Sequence, residues 1–336
     1  MKPTQPLQPK PGDRAFEILN AYQRDFPLVE RPFEQIGESC ALSEADVLQL
    51  YRDWIAQGVL SRVGGVFHQS AGGASLLAAI AVPSQDLETV AEIVSSYSGV
   101  NHNYEREHFY NLWFVMTGPD ALTVEAAMQL LERQTGLPAL RLPMIRPYRI
   151  DLAFNLSGKT AHHGATRATA TSIPRVSEAE RPLAALVEEG LPLVSDPYAQ
   201  WKERLGLSPH TVLSTIRGWL EVGILRRFGN VVRHHEMGFR YNAMTVFDLP
   251  EERVDAIGVA LATTPQVTLS YQRARAPGWN YNLYCMIHGT ERDEVNRVIQ
   301  QILDDYDLRD VPSAVLFSAR RFKQTGARRY RDAVYL

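Results

Sequence analysis

Polar side chains of three chemical kinds follow one another in the stretch VNHNYEREHFYNLWFVMTG, residues 100–118. In an extended chain successive side chains alternate between faces, so His102, Tyr104 and Arg106 share one face of a predicted strand. An imidazole, a phenol and a guanidinium on one face form either an internal polar network or a binding site for an anion. The second half of the stretch, by contrast, is typical of a buried strand.

The composition limits the classes of protein to which this chain can belong. Its 336 residues are 45% hydrophobic and 22% charged, which predicts a globular protein of two or more domains. Because no signal peptide and no membrane span is recognisable, we expect a cytoplasmic protein without membrane contact. The formal net charge of -3 argues against binding of nucleic acid by bulk electrostatics. Cys40 and Cys285 lie far apart and predict neither a disulfide framework nor a metal site.

The chain contains two copies of one sequence pattern. The stretch that begins PLVERPFEQIG at Pro27 aligns without a gap with the stretch that begins PLVSDPYAQWK at Pro192. Further on, YNLWFVMTG at Tyr110 matches YNLYCMIHG at Tyr281, after a short insertion in the second copy. Self-similarity of this kind indicates a tandem duplication.

Both copies follow the same order of predicted elements. Three short helices come first, and the third begins at Ser43, a favourable N-cap, and stops at Gly58. A wing of two strands over GVLSRVGGVF then completes a winged helix-turn-helix. The subsequent order of strand, helix, strand, strand, helix and strand predicts a ferredoxin-like βαββαβ domain. The predicted fold class is therefore α+β, with each half a winged helix-turn-helix followed by a βαββαβ domain.

These patterns divide the chain into five segments. They are a first winged helix-turn-helix (13–68), a first βαββαβ domain (69–152), a linker (153–177), a second winged helix-turn-helix (178–234) and a second βαββαβ domain (235–325). The linker is rich in Ser, Thr, Ala and Gly, so we expect its His162 and His163 to be exposed and without a catalytic role.

Winged helices followed by βαββαβ domains are the layout of the Lrp/AsnC transcription regulators, so DNA binding is the first functional hypothesis. A helix in the major groove needs cationic or amide side chains near its start. The predicted recognition helix of the first copy carries Glu44, Asp46 and Asp53 against Arg52 alone, and that of the second copy is scarcely more basic. Acidic side chains repel phosphate, so we do not expect DNA as a partner.

The stretches GVLSRVGGVF, GILRRFGNVV and HNYEREHFYNLWF resemble the siroheme decarboxylases, which are Lrp-like proteins that have become enzymes. The resemblance covers both copies almost end to end, and their fusion is similar to the D-L type of haem d1 biosynthesis. It implies non-oxidative removal, as CO2, of the acetate carboxylates at C12 and C18 of siroheme, which gives 12,18-didecarboxysiroheme. It also implies no cofactor beyond the iron of the substrate, and an internal pseudo-dimer with the option of further homodimerisation.

A flat macrocycle that carries many carboxylates requires arginine, which keeps its charge and grips carboxylates through two hydrogen bonds. Arg106 and Arg273 are the strongest candidates, because Tyr104 and Arg106 recur as Tyr271 and Arg273 in the second copy. A duplicated structural pair is the alternative. The other predicted substrate contacts are Tyr104, Arg62, Arg227, Arg149 and Trp113, with Arg146 as a further candidate.

Loss of CO2 leaves an electron pair on the methylene carbon, to which an acid must return a proton. Histidine is the natural donor near neutral pH, and neighbouring carboxylates would favour its charged form. His102 is the first candidate and His108 the second. A structural role is the alternative for each.

The second copy lacks both of these histidines, because Leu269 and Trp279 occupy their positions. It has His234 and His235 instead, which either complete the site or lie on an exposed strand. If the two sheets pack face to face about a pseudo-twofold axis, residues of one half can complete a site in the other. We therefore expect one composite catalytic pocket and one relic. The candidate catalytic residues are His102, His108, His234 and His235, whereas His68 and His288 are expected to be structural.

A haem-responsive sensor that binds the tetrapyrrole without turnover would use the same pocket and needs no proton donor. The motifs do not separate this alternative from the enzyme, and they leave the order of the two decarboxylations open.

Overall fold

A computed structural model describes residues 13–150, 173–232 and 241–331 of the chain. The structure confirms the α+β class and the repeated order of elements. Within these ranges no helix is both long and apolar enough to cross a membrane. The chain divides into two compact units, and each unit contains equivalent segments of both copies. The helix-turn-helix unit takes the described parts of 1–72 and 153–237, and the barrel unit takes those of 73–152 and 238–336.

The two copies contribute matching sets of helices and strands. In the first copy they are α1 (Arg14–Ala21), α2 (Pro32–Cys40), α3 (Glu44–Ala56), β1 (Leu60–Phe67), β2 (Ala74–Ile80), α4 (Leu87–Ser96), β3 (Val100–Arg106), β4 (Leu112–Gly118), α5 (Ala121–Thr135) and β5 (Ala139–Ile150). In the second they are α6 (Arg181–Glu189), α7 (Pro197–Leu205), α8 (Pro209–Glu221), β6 (Leu225–Val232), β7 (Tyr241–Phe247), α9 (Glu251–Thr263), β8 (Val267–Arg273), β9 (Leu283–Gly289), α10 (Arg292–Asp305) and β10 (Ser313–Gln324).

Capping residues fix the start of the third helix in each copy. The Ser43 hydroxyl oxygen accepts a hydrogen bond from the Asp46 backbone N–H at 3.1 Å, and Asp46 Oδ2 accepts one from the Ser43 backbone N–H at 3.3 Å. This capping box satisfies two backbone donors that the helix itself leaves unpaired. Ser208 accepts from the Thr211 N–H at 3.1 Å at the start of α8. The predicted N-cap at Ser43 is therefore confirmed.

One two-stranded sheet joins the two copies in the helix-turn-helix unit. Strands β1 and β6 are antiparallel, and Gly64 pairs with Gly229, its equivalent in the repeat. This arrangement differs from the predicted wing of two strands in each copy, because each copy supplies a single strand. Glycine is needed here for close approach: a Cβ on Gly229 would lie 2.3 Å from the Tyr22 carbonyl oxygen.

The eight strands of the barrel unit close into one antiparallel barrel in the order β10, β3, β4, β2, β5, β8, β9, β7. The long strands β5 and β10 join the copies. Residues 139–143 of β5 pair with β2 and residues 144–150 pair with β8. In the same way, β10 pairs first with β7 and then with β3. The inner faces of the two sheets face each other, as the sequence analysis supposed, and hydrogen bonds between the copies also join both pairs of sheet edges, which was not expected.

Each half of the barrel has a helix-covered outer face and an inner face. Helices α4 and α5 pack on the sheet of the first copy, and α9 and α10 pack on that of the second. The inner faces of both copies meet in one apolar group, here called the interior cluster. Its largest buried members are Trp113, Trp279, Tyr284, Tyr271, Met286 and Met244.

Candidate active site

Strand β3 presents its side chains as the alternation predicts. On the outer face, the Asn103 amide donates to the Ala91 carbonyl oxygen at 3.1 Å and to Ser95 Oγ at 3.0 Å, both on α4. On the inner face, the Arg106 guanidinium carbon lies 5.7 Å from the centre of the Tyr104 ring, whose distance from the His102 ring centre is 6.2 Å. The three residues predicted to share a face therefore lie together inside the barrel.

Arg106 and Arg273 are equivalent residues that make equivalent hydrogen bonds. Arg106 Nη1 donates to the Leu316 carbonyl oxygen at 3.0 Å, and Arg273 Nη1 donates to that of Leu142 at 2.6 Å. Each bond crosses to the other copy, and Leu142 and Leu316 are themselves equivalent positions of β5 and β10. Arg273 also lies over the Tyr271 ring, at 4.7 Å from its centre.

Both guanidinium groups are buried cations with unused hydrogen-bonding capacity. Arg106 is 7% exposed and Arg273 6% exposed. The Nε of each is buried without a hydrogen-bond partner, and neither pairs with a carboxylate among the described residues. Burial lowers the pKa of Arg106 to about 10 and also lowers that of Arg273. A buried charge without a counter-ion is costly, so an incoming carboxylate would be strongly favoured at either position.

His102 is a neutral base in this pocket. Its Nδ1 lies 3.1 Å from the Asn101 carbonyl oxygen. A carbonyl oxygen can only accept, so this hydrogen bond places the proton on Nδ1 and leaves the basic lone pair on Nε2. Burial, and then the positive charge of Arg106, lowers the pKa of His102 to about 4. The charged neighbour that the described residues provide is a cation rather than a carboxylate, so a bound anion would favour the imidazolium.

His108 makes a local hydrogen bond in the turn that follows β3. The Tyr110 backbone N–H donates to His108 Nδ1 at 3.1 Å in the turn between β3 and β4. The same contact over two residues occurs at His68, whose Nδ1 accepts from the Ser70 N–H at 3.1 Å. Because a protonated Nδ1 could not accept this bond, the turn favours a neutral His108. The geometry fits a residue that fixes the turn better than a proton donor.

Trp113 belongs to the packed core. It is 2% exposed, its Nε1 donates to the Tyr110 carbonyl oxygen at 2.6 Å, and its ring centre lies 5.1 Å from that of Trp279. Trp279 in turn donates to the Tyr284 hydroxyl at 2.7 Å. The prediction that Trp113 contacts substrate is not supported, because its surface is already covered by protein.

The remaining predicted arginines make structural contacts. In the helix-turn-helix unit, Arg227 is buried and donates to the Gln23 and Asn230 carbonyl oxygens at 2.7 and 2.8 Å, and Arg62 donates to that of Gly65 at 3.2 Å. In the barrel unit, Arg149 donates to two carbonyl oxygens at the end of α9, each at 3.1 Å, and Arg146 forms an ion pair with Asp255 of the same helix. Arg149 and Arg146 therefore serve the outer face of the barrel.

Two predictions concern residues outside the described ranges, and His288 lies on the inner face of the barrel. His234 and His235, like His162 and His163 of the linker, fall where the structure describes nothing. His288 was expected to be structural. It lies on the inner face of β9, in alternation with Tyr284 and Met286, and burial together with Arg106 lowers its pKa to about 4. Its inner-face position follows from the same alternation of side chains along a strand.

Comparisons with known proteins bear on both units. A family model described as an AsnC-like ligand binding domain matches residues 70–149 and 236–323. A second, described as a siroheme decarboxylase NirDL-like HTH domain, matches residues 16–60 and 180–226.

Similar proteins are known both as fused chains and as separate subunits. The siroheme decarboxylase NirDL subunit of Paracoccus pantotrophus is 40% identical over 317 residues, which cover 94% of this chain and 97% of that protein. The NirL subunit of Stutzerimonas stutzeri is 47% identical over 147 residues, or 44% of this chain and 86% of its own length. A crystal structure of siroheme decarboxylase NirDL in complex with an iron-uroporphyrin III analogue is 26% identical, with a TM-score of 0.67 and 95% of both chains covered.

Proposed function

Because the chain belongs to the NirDL family of siroheme decarboxylases, we propose that it is a carboxy-lyase that removes the acetate carboxylates at C12 and C18 of siroheme as CO2. The product is 12,18-didecarboxysiroheme. The observation that carries the proposal is the buried guanidinium of Arg106, which has an unpaired Nε and no carboxylate partner among the described residues. A pocket built in this way attracts a carboxylate, and siroheme supplies several.

The acetate arm of the substrate enters the polar part of the barrel interior. Arg106 is almost inaccessible, whereas His102, Tyr104 and His288 are half-buried, so this part of the interior is open to solvent. The interior cluster is tightly packed by contrast, with Trp113 and Trp279 each 2% exposed. The macrocycle therefore lies at the opening, with an acetate arm directed to Arg106.

His102 returns the proton in the chemical step. The bond between the methylene carbon and the carboxylate carbon breaks, CO2 leaves, and the electron pair remains on the methylene carbon, where the macrocycle delocalises it. The imidazolium of His102 protonates this carbon to give the methyl group, and solvent then restores its proton. The substrate carboxylate itself favours the imidazolium, because its negative charge offsets the positive charge of Arg106. The reaction is non-oxidative and uses no cofactor beyond the substrate iron.

One pocket is catalytic and its pseudo-symmetric equivalent is a relic. Arg273 and Tyr271 repeat Arg106 and Tyr104, but Leu269 takes the place of His102, and a leucine side chain cannot carry a proton. Relatives that consist of separate subunits support an internal pseudo-dimer of the two fused copies. The start of α3 is acidic, and its Glu44 pairs with Arg31, which argues against DNA as a partner.

Anaerobic incubation of the purified chain with siroheme, followed by mass spectrometry of the tetrapyrrole, tests the proposal. The native chain should remove two CO2 per siroheme, and His102→Ala should lose most of this activity. Leu269→Ala, at the equivalent position of the second copy, is the matched control and should retain turnover. Tight binding of siroheme by the native chain without any change in its mass would instead favour a haem-responsive sensor.

A further inference from the structure

Four polar or charged residues form one row across the inner face of the barrel. Ser318 of β10 pairs with Arg106 of β3, and Asn242 of β7 pairs with His288 of β9. The middle of the row is continuous, because the Ser318 hydroxyl donates to Asn242 Oδ1 at 2.7 Å. Arg106 also approaches β9 directly, with Nη2 4.0 Å from Met286 Sδ, two residues before His288. His288 is thus linked to the arginine that the proposed function places on the substrate.

The equivalent row in the other half of the barrel contains no histidine. There Met144 pairs with Arg273, and Ser75 pairs with Thr117. Met144 occupies the place of Ser318, Ser75 that of Asn242 and Thr117 that of His288. The two rows share only their arginine. The row that contains a histidine is the one with Arg106, which lies on the same strand as His102.

The hydrogen bond of His288 suits a group that changes charge. Thr268 Oγ1 lies 2.9 Å from His288 Nδ1 and 3.3 Å from the Met286 carbonyl oxygen. A hydroxyl that donates to the carbonyl can still accept from a protonated Nδ1, so this partner tolerates an imidazolium. Among the described residues, the groups that face His288 include Thr268 of β8, Asn242 of β7, Ser318 of β10 and the charged Arg106 of β3. A carboxylate bound to Arg106 would offset that charge.

We infer that His288 is a second catalytic histidine, supplied by the second copy, which takes up a proton when a substrate carboxylate binds at Arg106. The inference rests on the proposed function and deepens it, because the composite pocket then holds one histidine from each copy, His102 and His288. Each decarboxylation consumes one proton at the methylene carbon. The two imidazoles therefore give the site a store of protons beside the reacting carbon.

The test counts protons taken up on binding of iron-uroporphyrin III, by calorimetry at pH 7 in buffers of different ionisation enthalpy. The native chain should take up more than one proton, and His288→Asn should take up about one fewer. In the siroheme assay, His288→Asn should reduce turnover roughly 100-fold, as expected for loss of a proton donor. His68→Asn is the matched control, since asparagine can still accept from the Ser70 N–H, and it should behave as the native chain does.

Either of two outcomes would overturn the inference, and only the second is also a failure of the proposed function. A native proton count with native turnover in His288→Asn would remove His288 from the site and leave siroheme decarboxylation intact. Absence of any turnover by the native chain would overturn both. If His288→Asn does not fold, Thr268→Val tests the same contact: it should lower proton uptake, and Thr268→Ser should restore it. Unchanged uptake in Thr268→Val would then count against the inference.

Discussion

Arg106 and Arg273 each donate a hydrogen bond to the same carbonyl position of the opposite copy, Leu316 in one case and Leu142 in the other. The relationship is reciprocal, so the two arginines contribute equally to the closure of the barrel. Among the histidines that the structure describes, His102 on its own strand and His288 on β9 accompany Arg106. The two arginines thus make the same structural hydrogen bond but differ in their neighbouring histidines. Experiments can measure the structural role and the catalytic role separately.

Substitution of each arginine by lysine should separate these two roles. Arg106→Lys and Arg273→Lys should lower the melting temperature by similar amounts, because each loses the same hydrogen bond to a carbonyl. Binding of iron-uroporphyrin III, followed by absorbance, should weaken roughly 10- to 100-fold in Arg106→Lys, because a carboxylate loses a charged hydrogen bond. Equal loss of affinity in Arg273→Lys would contradict a single competent pocket.

Histidine substitutions should distinguish catalysis from turn structure. His102→Gln should reduce siroheme turnover by about 100-fold or more, because glutamine cannot deliver a proton. His108→Asn should change turnover only a few-fold, since an asparagine oxygen can still accept from the Tyr110 N–H. Steady-state rates under anaerobic conditions measure both. A larger loss in His108→Asn than in His102→Gln would reverse the assignment.

The stability of the unliganded chain should fall in mildly acidic solution. The pKa of His102 and that of His288 are both lowered to about 4 in the folded state, from a value near 6.5 in the unfolded chain. Between these values the unfolded chain binds more protons, so the stability present above pH 6.5 is lost as the pH falls towards 4. Denaturant unfolding between pH 7 and 5 should show this slope. His102→Gln should reduce it, and an unchanged slope would argue against a neutral, buried His102.

Glycine substitutions test the sheet between the copies. A Cβ at Gly229 would meet the Tyr22 carbonyl oxygen at 2.3 Å, and backbone atoms cannot move aside easily. Gly229→Ala should therefore destabilise the chain by roughly 2 to 4 kcal/mol in denaturant unfolding. Gly218→Ala, in the C-terminal half of α8, is the control: a Cβ there would meet no atom within 4 Å beyond its chain neighbours and its own helix backbone, so the substitution should stabilise by up to about 1 kcal/mol. Similar effects for both variants would contradict the close packing of β6.

Local sequence patterns predicted the helices and strands, but they did not predict which strands pair between the two copies. Ser43, Gly58 and the alternation around His102 act within a few residues, so they can be read along the chain. The pairing of Gly64 with Gly229 and the crossing of β5 to β8 depend on residues far apart in sequence. A strand in isolation does not reveal which edge it joins, which is why a two-stranded wing was expected in each copy and the pairing of β5 and β10 across the copies was not.

The site was predicted in part for the same reason. Arg106 and His102 lie on one strand whose alternation is visible, whereas His288 comes into one row with Arg106 only through the pairing of four strands. Arg149 resembled the other arginines in the sequence, and its binding to the end of α9 depends on tertiary structure. Trp113 likewise is an aromatic residue suited to packing against a flat substrate, but Trp279 covers it.

The most direct test of the account is a crystal structure of the chain with iron-uroporphyrin III bound. We predict a carboxylate within hydrogen-bonding distance of Arg106 Nε, with His102 and His288 beside it and no carboxylate at Arg273 Nε. A tetrapyrrole bound elsewhere, with Arg106 Nε still buried and unpaired, would contradict the proposal that this strand holds the substrate.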